Sequence, residues 1–296
     1  MTILQERGLT RLRHLTALMI VGDRQPLTRT PAEADLDFED VAFASTDGVE
    51  LRGWFVPACD RVAPAVVFVH GWLWNRLGNT AGRVPFPDAS VDFLPATRAL
   101  HDAGCHVLLF DLANHGESGR RPPLTFGPWE ARDVIGAVRY LRSRVDVDVE
   151  RIGALGTSAG ANTVMYAIPD APPVKAFLAV QPTRLAVFNR HFSREVLGPV
   201  GPAEARSMDL LYAMLGAPLP SRHDPAVPAA HLGHTVVQYV QGTGDRWGGM
   251  EIVKEFSSVT PHSLGVVEYP STGRYEGYQY VSERVDDVVS FFLENL

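Results

Sequence analysis

Short, unbroken apolar runs recur along this chain, separated by stretches in which apolar residues return every three or four positions. The runs at 65–69, 107–110, 152–155 and 176–180 are near-continuously apolar, and 236–240 and 264–269 complete the set. Runs of this length are expected of strands covered on both faces. Between them, Val134, Val138, Leu141 and Val145 share one helical face, Ile252, Val253 and Phe256 mark a second helix, and Val285, Val288, Val289 and Phe292 a third. Ahead of this alternation, Val41, Phe43 and Ser45 lead into Thr46-Asp47-Gly48, and Leu51, Trp54, Phe55 and Val56 resume, which predicts a hairpin. Strand–helix alternation predicts an α/β fold with a mostly parallel, twisted sheet and helices on both faces.

Three segments stand outside the alternation. Leu9, Leu12, Leu15 and Leu18, interleaved with Glu6, Arg7, Arg11, Arg13 and His14, predict an amphipathic N-terminal helix packed on the domain, with a membrane-surface or dimer role as the alternative. Pro26 and Pro31 end it in a linker, so that 1–30 is read as helix and linker. A long connection at 73–95 carries Gly78, Gly82, Pro85 and Pro87. Residues 183–233, helical and proline-rich between two strands, are expected to form a helical lid insertion, leaving 31–182 and 234–296 as the core.

Composition narrows the class. A length of 296 residues suits one α/β domain, and 46% hydrophobic with 21% charged residues excludes disordered, collagen-like and coiled-coil chains. No apolar stretch approaches the ~20 residues of a membrane span. A net charge of −7 without a basic stripe argues against nucleic-acid binding. Cys59 and Cys105 form neither a metal knuckle nor a disulfide framework, and the N-terminus lacks the uninterrupted apolar core of a secretory signal. The expectation is a cytoplasmic protein with a small-molecule substrate, no metal and no cofactor, its association into a homodimer left open.

The chemistry gathers at Gly156-Thr157-Ser158-Ala159-Gly160, between the 152–155 strand and a helical 161–167. A serine in this G-x-S-x-G setting is lifted to the sheet's C-terminal edge on a tight strand-to-helix turn, at a helix N-terminus. The plainer alternative is a serine that merely occupies a tight turn.

With this elbow, the chain from about residue 40 to 296 resembles the α/β-hydrolase family of serine esterases and thioesterases. His70-Gly71-Trp72 stands where that family has its oxyanion segment, and 111–119 looks like its Asp-x-x-Gly-His-Gly-x-Ser loop. Gly242-Thr243-Gly244-Asp245 closes a strand where the family places its acid. The resemblance implies an α/β-hydrolase fold in which Ser158 attacks an ester or thioester carbonyl and the backbone N–H groups of Trp72 and Ala159 form the oxyanion hole. A histidine held by Asp245 would carry the proton. Asp245 also reads as a helix N-cap.

The histidine departs from the pattern. The family places it in the loop after the last strand, here Ser271-Thr272-Gly273-Arg274-Tyr275-Glu276-Gly277-Tyr278, and no histidine follows His262. Tyr275 is expected in its place. His70, His115, His191 and His223 remain as substitute bases, with His115 entered among the candidate catalytic residues; His70 and His115 also read as structural loop residues, and His191 as a solvated lid residue. Trp72, Trp74, Phe86, Phe93 and Trp247 read equally as pocket wall and as loop packing. The functional expectation is an enzyme acting on a small apolar ester- or carbonyl-containing substrate with an atypical triad. The rivals are a non-hydrolytic enzyme on the same scaffold (cyclase, eliminase, isomerase or acyl transferase) and a catalytically weak ligand-binding homologue.

Overall fold

The computed structural model describes residues 8–59, 61–84 and 86–296, so Glu6 and Arg7 of the expected first helix and Pro85 of the long connection lie outside the described residues. Eight strands form the main sheet: β1 (Glu39–Ala44), β2 (Glu50–Val56), β3 (Ala63–Val69), β4 (His106–Phe110), β5 (Val147–Thr157), β6 (Ala176–Val180), β7 (Val236–Gly242) and β8 (Ser263–Tyr269). Their order is β1-β2-β4-β3-β5-β6-β7-β8. The β1–β2 hairpin closes at Asp47-Gly48, where Gly48 has φ +86°. β2 meets β4 antiparallel, and every later pairing is parallel.

Strand periodicity divides the core in two. Val66, Phe68, Leu155, Leu178 and Val240 face one layer, with Leu94 and Leu100 of α2 (Leu94–Asp102) and Val288 and Phe292 of the helix Val285–Asn295. Val67, Val69, Ala154, Phe177 and Val237 face the other, against α3 (Ala131–Ser143), α4 (Ala159–Ala167) and the helix Met250–Val259. Both faces of each central strand are therefore dry, which is why these segments carry almost no polar residues. Two details depart from the expectation. β5 begins at Val147, five residues before the apolar run, because Ala63 pairs with Val147 ahead of a register shift. α3 ends at Ser143, leaving Val145 94% exposed instead of on the helical face.

The segment between β6 and β7 is helical, with α5 (Leu185–Leu197) and α6 (Gly201–Met214). α1 (Gly8–Val21) packs on the domain through Leu15, Leu18 and Met19. Its last turn accepts three hydrogen bonds from distant parts of the chain. Trp72 Nε1 donates to Leu18 O (3.1 Å), the Tyr212 hydroxyl of α6 to Met19 O (3.1 Å), and Leu124 N to Ile20 O (2.8 Å). Among the described residues no helix is long and apolar enough to cross a membrane.

Gly160 marks the tightest helix-to-sheet approach, because a Cβ there would collide with the carbonyl oxygens of Val69 and His70 at the end of β3. Both are fixed backbone atoms. Gly160→Ala is expected to cost about 1–3 kcal/mol through overpacking. The check is a lowered urea midpoint at unchanged m value; an unchanged midpoint would contradict this packing.

Candidate active site

The elbow forms because β5 must turn within one residue into α4. Ser158 makes that turn with φ +54° and ψ −121°, a conformation that costs a non-glycine residue roughly 1–3 kcal/mol. Ser158 N donates to Val180 O (2.9 Å) and Asn162 N to Ser158 O (3.1 Å), so the backbone around the strain is fully tied. Ala159 opens α4, where N–H groups have no partner within the helix. Ala159 and Trp72 border one small cavity together with Ser158. Trp72 is held there by its indole bond to α1, and Leu73, at φ +65°, by the bond from its N–H to His115 Nε2 (3.3 Å).

Asp245 follows β7, and its carboxylate is fully buried. It accepts from Trp247 N (2.9 Å), Gly248 N (3.0 Å) and Gln241 Nε2 (3.0 Å), and from Arg274 Nη1. Burial alone would raise its pKa, but the Arg274 charge and these donors hold it below the ordinary carboxylate value.

The group that reaches from Asp245 to Ser158 is Arg274. It is the first residue of the helical turn Arg274–Tyr278, and its side chain is 3% exposed. Nη1 binds Asp245, while Nη2 donates to Gln181 O (3.0 Å) and lies 3.4 Å from Ser158 Oγ. Its guanidinium also lies over the rings of Tyr278 (5.3 Å) and Phe188 (5.5 Å). Burial works against its charge, but Asp245 outweighs it, so the pKa of a group that is already always protonated rises further.

Tyr275, expected in the imidazole's place, does not lie between Asp245 and Ser158. Successive helical residues point about 100° apart, so with Arg274 aimed at Asp245 the Tyr275 ring joins the pocket wall, 6.1 Å from Trp74 and 6.3 Å from Phe86. Burial pushes its phenol well above the usual range.

The substitute bases fare no better. His115 uses Nδ1 on Ala113 O (3.0 Å) and Nε2 on Leu73 N. His70 uses Nδ1 on Gly71 O (2.8 Å) and Nε2 on Leu112 N (3.0 Å). In each ring one nitrogen donates and the other accepts, so no lone pair is left for a serine proton. Burial lowers their pKa values to about 4 for His70 and about 3 for His115, and both stay neutral. His191 is exposed on α5 and His223 is buried under the helical insertion; neither borders a cavity at Ser158.

Of the loop aromatics, Trp72, Trp74, Phe86 and Trp247 line the space beside Ser158, with Phe188 of α5, Tyr275 and Tyr278. Phe93 instead packs edge-on against Phe68 beneath them. Sequence reasoning missed Arg274, Gln181 and Tyr278. The available signal was that Arg274 directly follows Gly273 in the loop facing a buried carboxylate, and a buried arginine needs one.

The model of the alpha/beta hydrolase family matches residues 66–273. The uncharacterized protein YfhR of Salmonella typhi is 32% identical over 143 residues, which is 47% of this chain and 42% of that protein. The thiohydrolase aneE of Aspergillus aculeatus is 29% identical over 164 residues, 55% of this chain and 47% of that protein. The chain thus spans less than half the length of these curated relatives. Among solved structures, the Pyrococcus furiosus esterase Pf2001 superimposes with a TM-score of 0.71 at 21% identity, covering 93% of this chain and 97% of that one.

The ion pair carries a stability prediction. Asp245→Asn leaves the Arg274 guanidinium buried without a counter-charge and is expected to cost about 3–5 kcal/mol, part of which Asp245→Asn with Arg274→Met restores. Asp245 has its pKa lowered on folding, so its contribution is complete above the unfolded value of ~3.9 and is lost as pH falls through the lower folded value. Urea midpoints between pH 3 and 7 test this: wild type should lose the increment only in acid, and Asp245→Asn should lack it throughout.

Proposed function

Because the chain belongs to the alpha/beta hydrolase family, we propose that it acts on the acyl carbonyl of a small apolar ester or thioester held above Ser158. Ser158 is the nucleophile, the N–H groups of Trp72 and Ala159 receive the oxyanion, and α5 serves as a lid. Esterases among the structural relatives and a thiohydrolase among the sequence relatives support the substrate class. The observation that carries the reading is the fork of Arg274 between Asp245 and Ser158 Oγ.

This arrangement changes the chemistry of the serine. An imidazole collects the serine proton and returns it to the leaving group. A guanidinium paired with Asp245 accepts no proton; it polarises Ser158 and stabilises negative charge beside it. The serine proton must leave to water. Thioesters and activated esters suit such a site, since their leaving groups depart without protonation. Simple activated esters are turned over slowly, and the rate climbs with pH without a plateau near neutrality.

A second reading is favoured by the same fork together with the saturated histidines: a non-hydrolytic enzyme in which Arg274 and the oxyanion donors polarise a carbonyl and Ser158 is never acylated.

The test is p-nitrophenyl acetate hydrolysis and fluorophosphonate labelling by wild type, Ser158→Ala, Arg274→His and Tyr275→His. Arg274→His, which places an imidazole next to Asp245, should raise turnover about 10²-fold with a sigmoidal pH profile rising through the imidazole pKa near ~6.5. Tyr275→His should give no gain. Wild-type turnover at ordinary esterase rates that depends on Ser158 and falls in Arg274→His would overturn the proposal. Absence of labelling at Ser158 in both wild type and Arg274→His would favour the non-hydrolytic reading.

A further inference from the structure

Two water-sized cavities of about 20 Å³ flank Ser158. One contains the oxyanion side, with Trp72 and Ala159. The other is bounded by Trp74, Arg274, Tyr275 and Tyr278. Ser158, Trp72 and Phe188 border both.

The second cavity holds an uncompensated polar group. Tyr278 is 2% exposed, and its hydroxyl faces Ser158 and Arg274 without reaching good hydrogen-bond geometry with either. A buried hydroxyl without a partner is unfavourable, and such groups are usually satisfied by water or by a ligand. Burial pushes the phenol up to about 12, so it is a neutral O–H throughout the physiological range. Beside it, Arg274 Nη2 donates to Gln181 O (3.0 Å) and makes a longer contact to Ser158 Oγ (3.4 Å), the weaker of its two bonds and the one a ligand oxygen could take over. The cavity therefore presents hydrogen-bond donors beside Ser158 that are separate from the N–H groups of the oxyanion hole.

The charge balance decides what those donors receive. Arg274 is already neutralised by Asp245. A substrate carboxylate would leave two buried anions to one cation, at a heavy desolvation cost. A hydroxyl could accept from the pair but would bring one more O–H that needs an acceptor of its own. A ketone oxygen accepts two hydrogen bonds and asks for none.

We propose that Tyr278 and Arg274 form a second acceptor-binding pair beside the reacting carbonyl, which makes the substrate class acyl esters or thioesters bearing a further keto oxygen on the acyl chain. The inference rests on the reading of the Ser158 pocket as an acyl site. It assigns Tyr278 a role in specificity: it holds the substrate's second oxygen and takes no part in bond making.

The experiment measures binding without turnover, using full-length Ser158→Ala protein and three N-acetylcysteamine thioesters, with dissociation constants from quenching of tryptophan fluorescence. The acetoacetyl and butyryl thioesters differ only by an oxygen in place of two hydrogens; the malonyl thioester adds a carboxylate. Acetoacetyl should bind about tenfold more tightly than butyryl, the scale of one hydrogen bond to a charged group. Adding Tyr278→Phe should erase most of that preference and leave the butyryl constant within about twofold. Equal binding of acetoacetyl and butyryl would mean a water site only and would overturn the proposal. So would a preference that survives Tyr278→Phe, or tightest binding of malonyl, which would mark an anion site. Should Tyr278→Phe fail to fold, the acetoacetyl-to-butyryl ratio still decides. Because no turnover is read, failure here leaves the hydrolysis test standing, and failure of wild type to acylate Ser158 leaves this one standing.

Discussion

A guanidinium and a carboxylate sealed from water stay charged only while they keep each other and while most of the remaining lone pairs and N–H groups are occupied. Arg274 and Asp245 meet that condition, and much of the sheet's C-terminal edge is arranged around it. The Asp245 oxygens take N–H groups from Trp247, Gly248 and Gln241. Gln181 completes the frame: its carbonyl accepts from Arg274 Nη2, its amide donates to Arg274 O (2.7 Å), and its Oε1 accepts from Gly242 N (3.2 Å). The ends of β6 and β7 and the loop after β8 are thereby sewn into one unit. The position of Arg274 beside Ser158 follows from that frame and does not depend on any bond that the serine itself makes.

The sheet was legible in the chain because burial on both faces leaves a simple trace, a run without polar residues. The elbow was legible because close approach demands glycine on either side of Ser158, and Asp245 only through the family resemblance, which places an acid after that strand. What could not be read was which of two neighbours in a one-turn helix faces inward. Arg274 and Tyr275 are adjacent, and phenol resembles imidazole in size. The choice is made by a counter-charge contributed from 29 residues away. Nor does a one-dimensional pattern reveal that both nitrogens of His70 and His115 are engaged. Their partners are backbone groups of loops that have no regular structure to predict.

Those two histidines have a structural task of their own. Their rings lie 5.0 Å apart, edge to face, and each bonds one loop to another. His70 fastens the loop after β3 to Leu112 beyond β4, and His115 returns the bond to Leu73. Below them Asp111 accepts from Arg76 N (2.7 Å) and Glu117 N (2.9 Å). The loop carrying Trp72 is thus held by polar bonds in a buried place, a rigid mount for backbone N–H groups that have to point one way.

The last turn of α1 touches three pieces of the pocket at once: the indole of Trp72, the helix α6 through Tyr212, and the loop at Leu124. The first two bonds span 54 and 193 residues of chain. Closing loops of this length costs chain entropy before any contact repays it. The walls around Ser158 are thus joined by a small set of long-range bonds over short elements, the kind of contact that opens more readily than a sheet. A chain caught part-way through folding would own a sheet and an elbow but no chamber, and its serine would face open water.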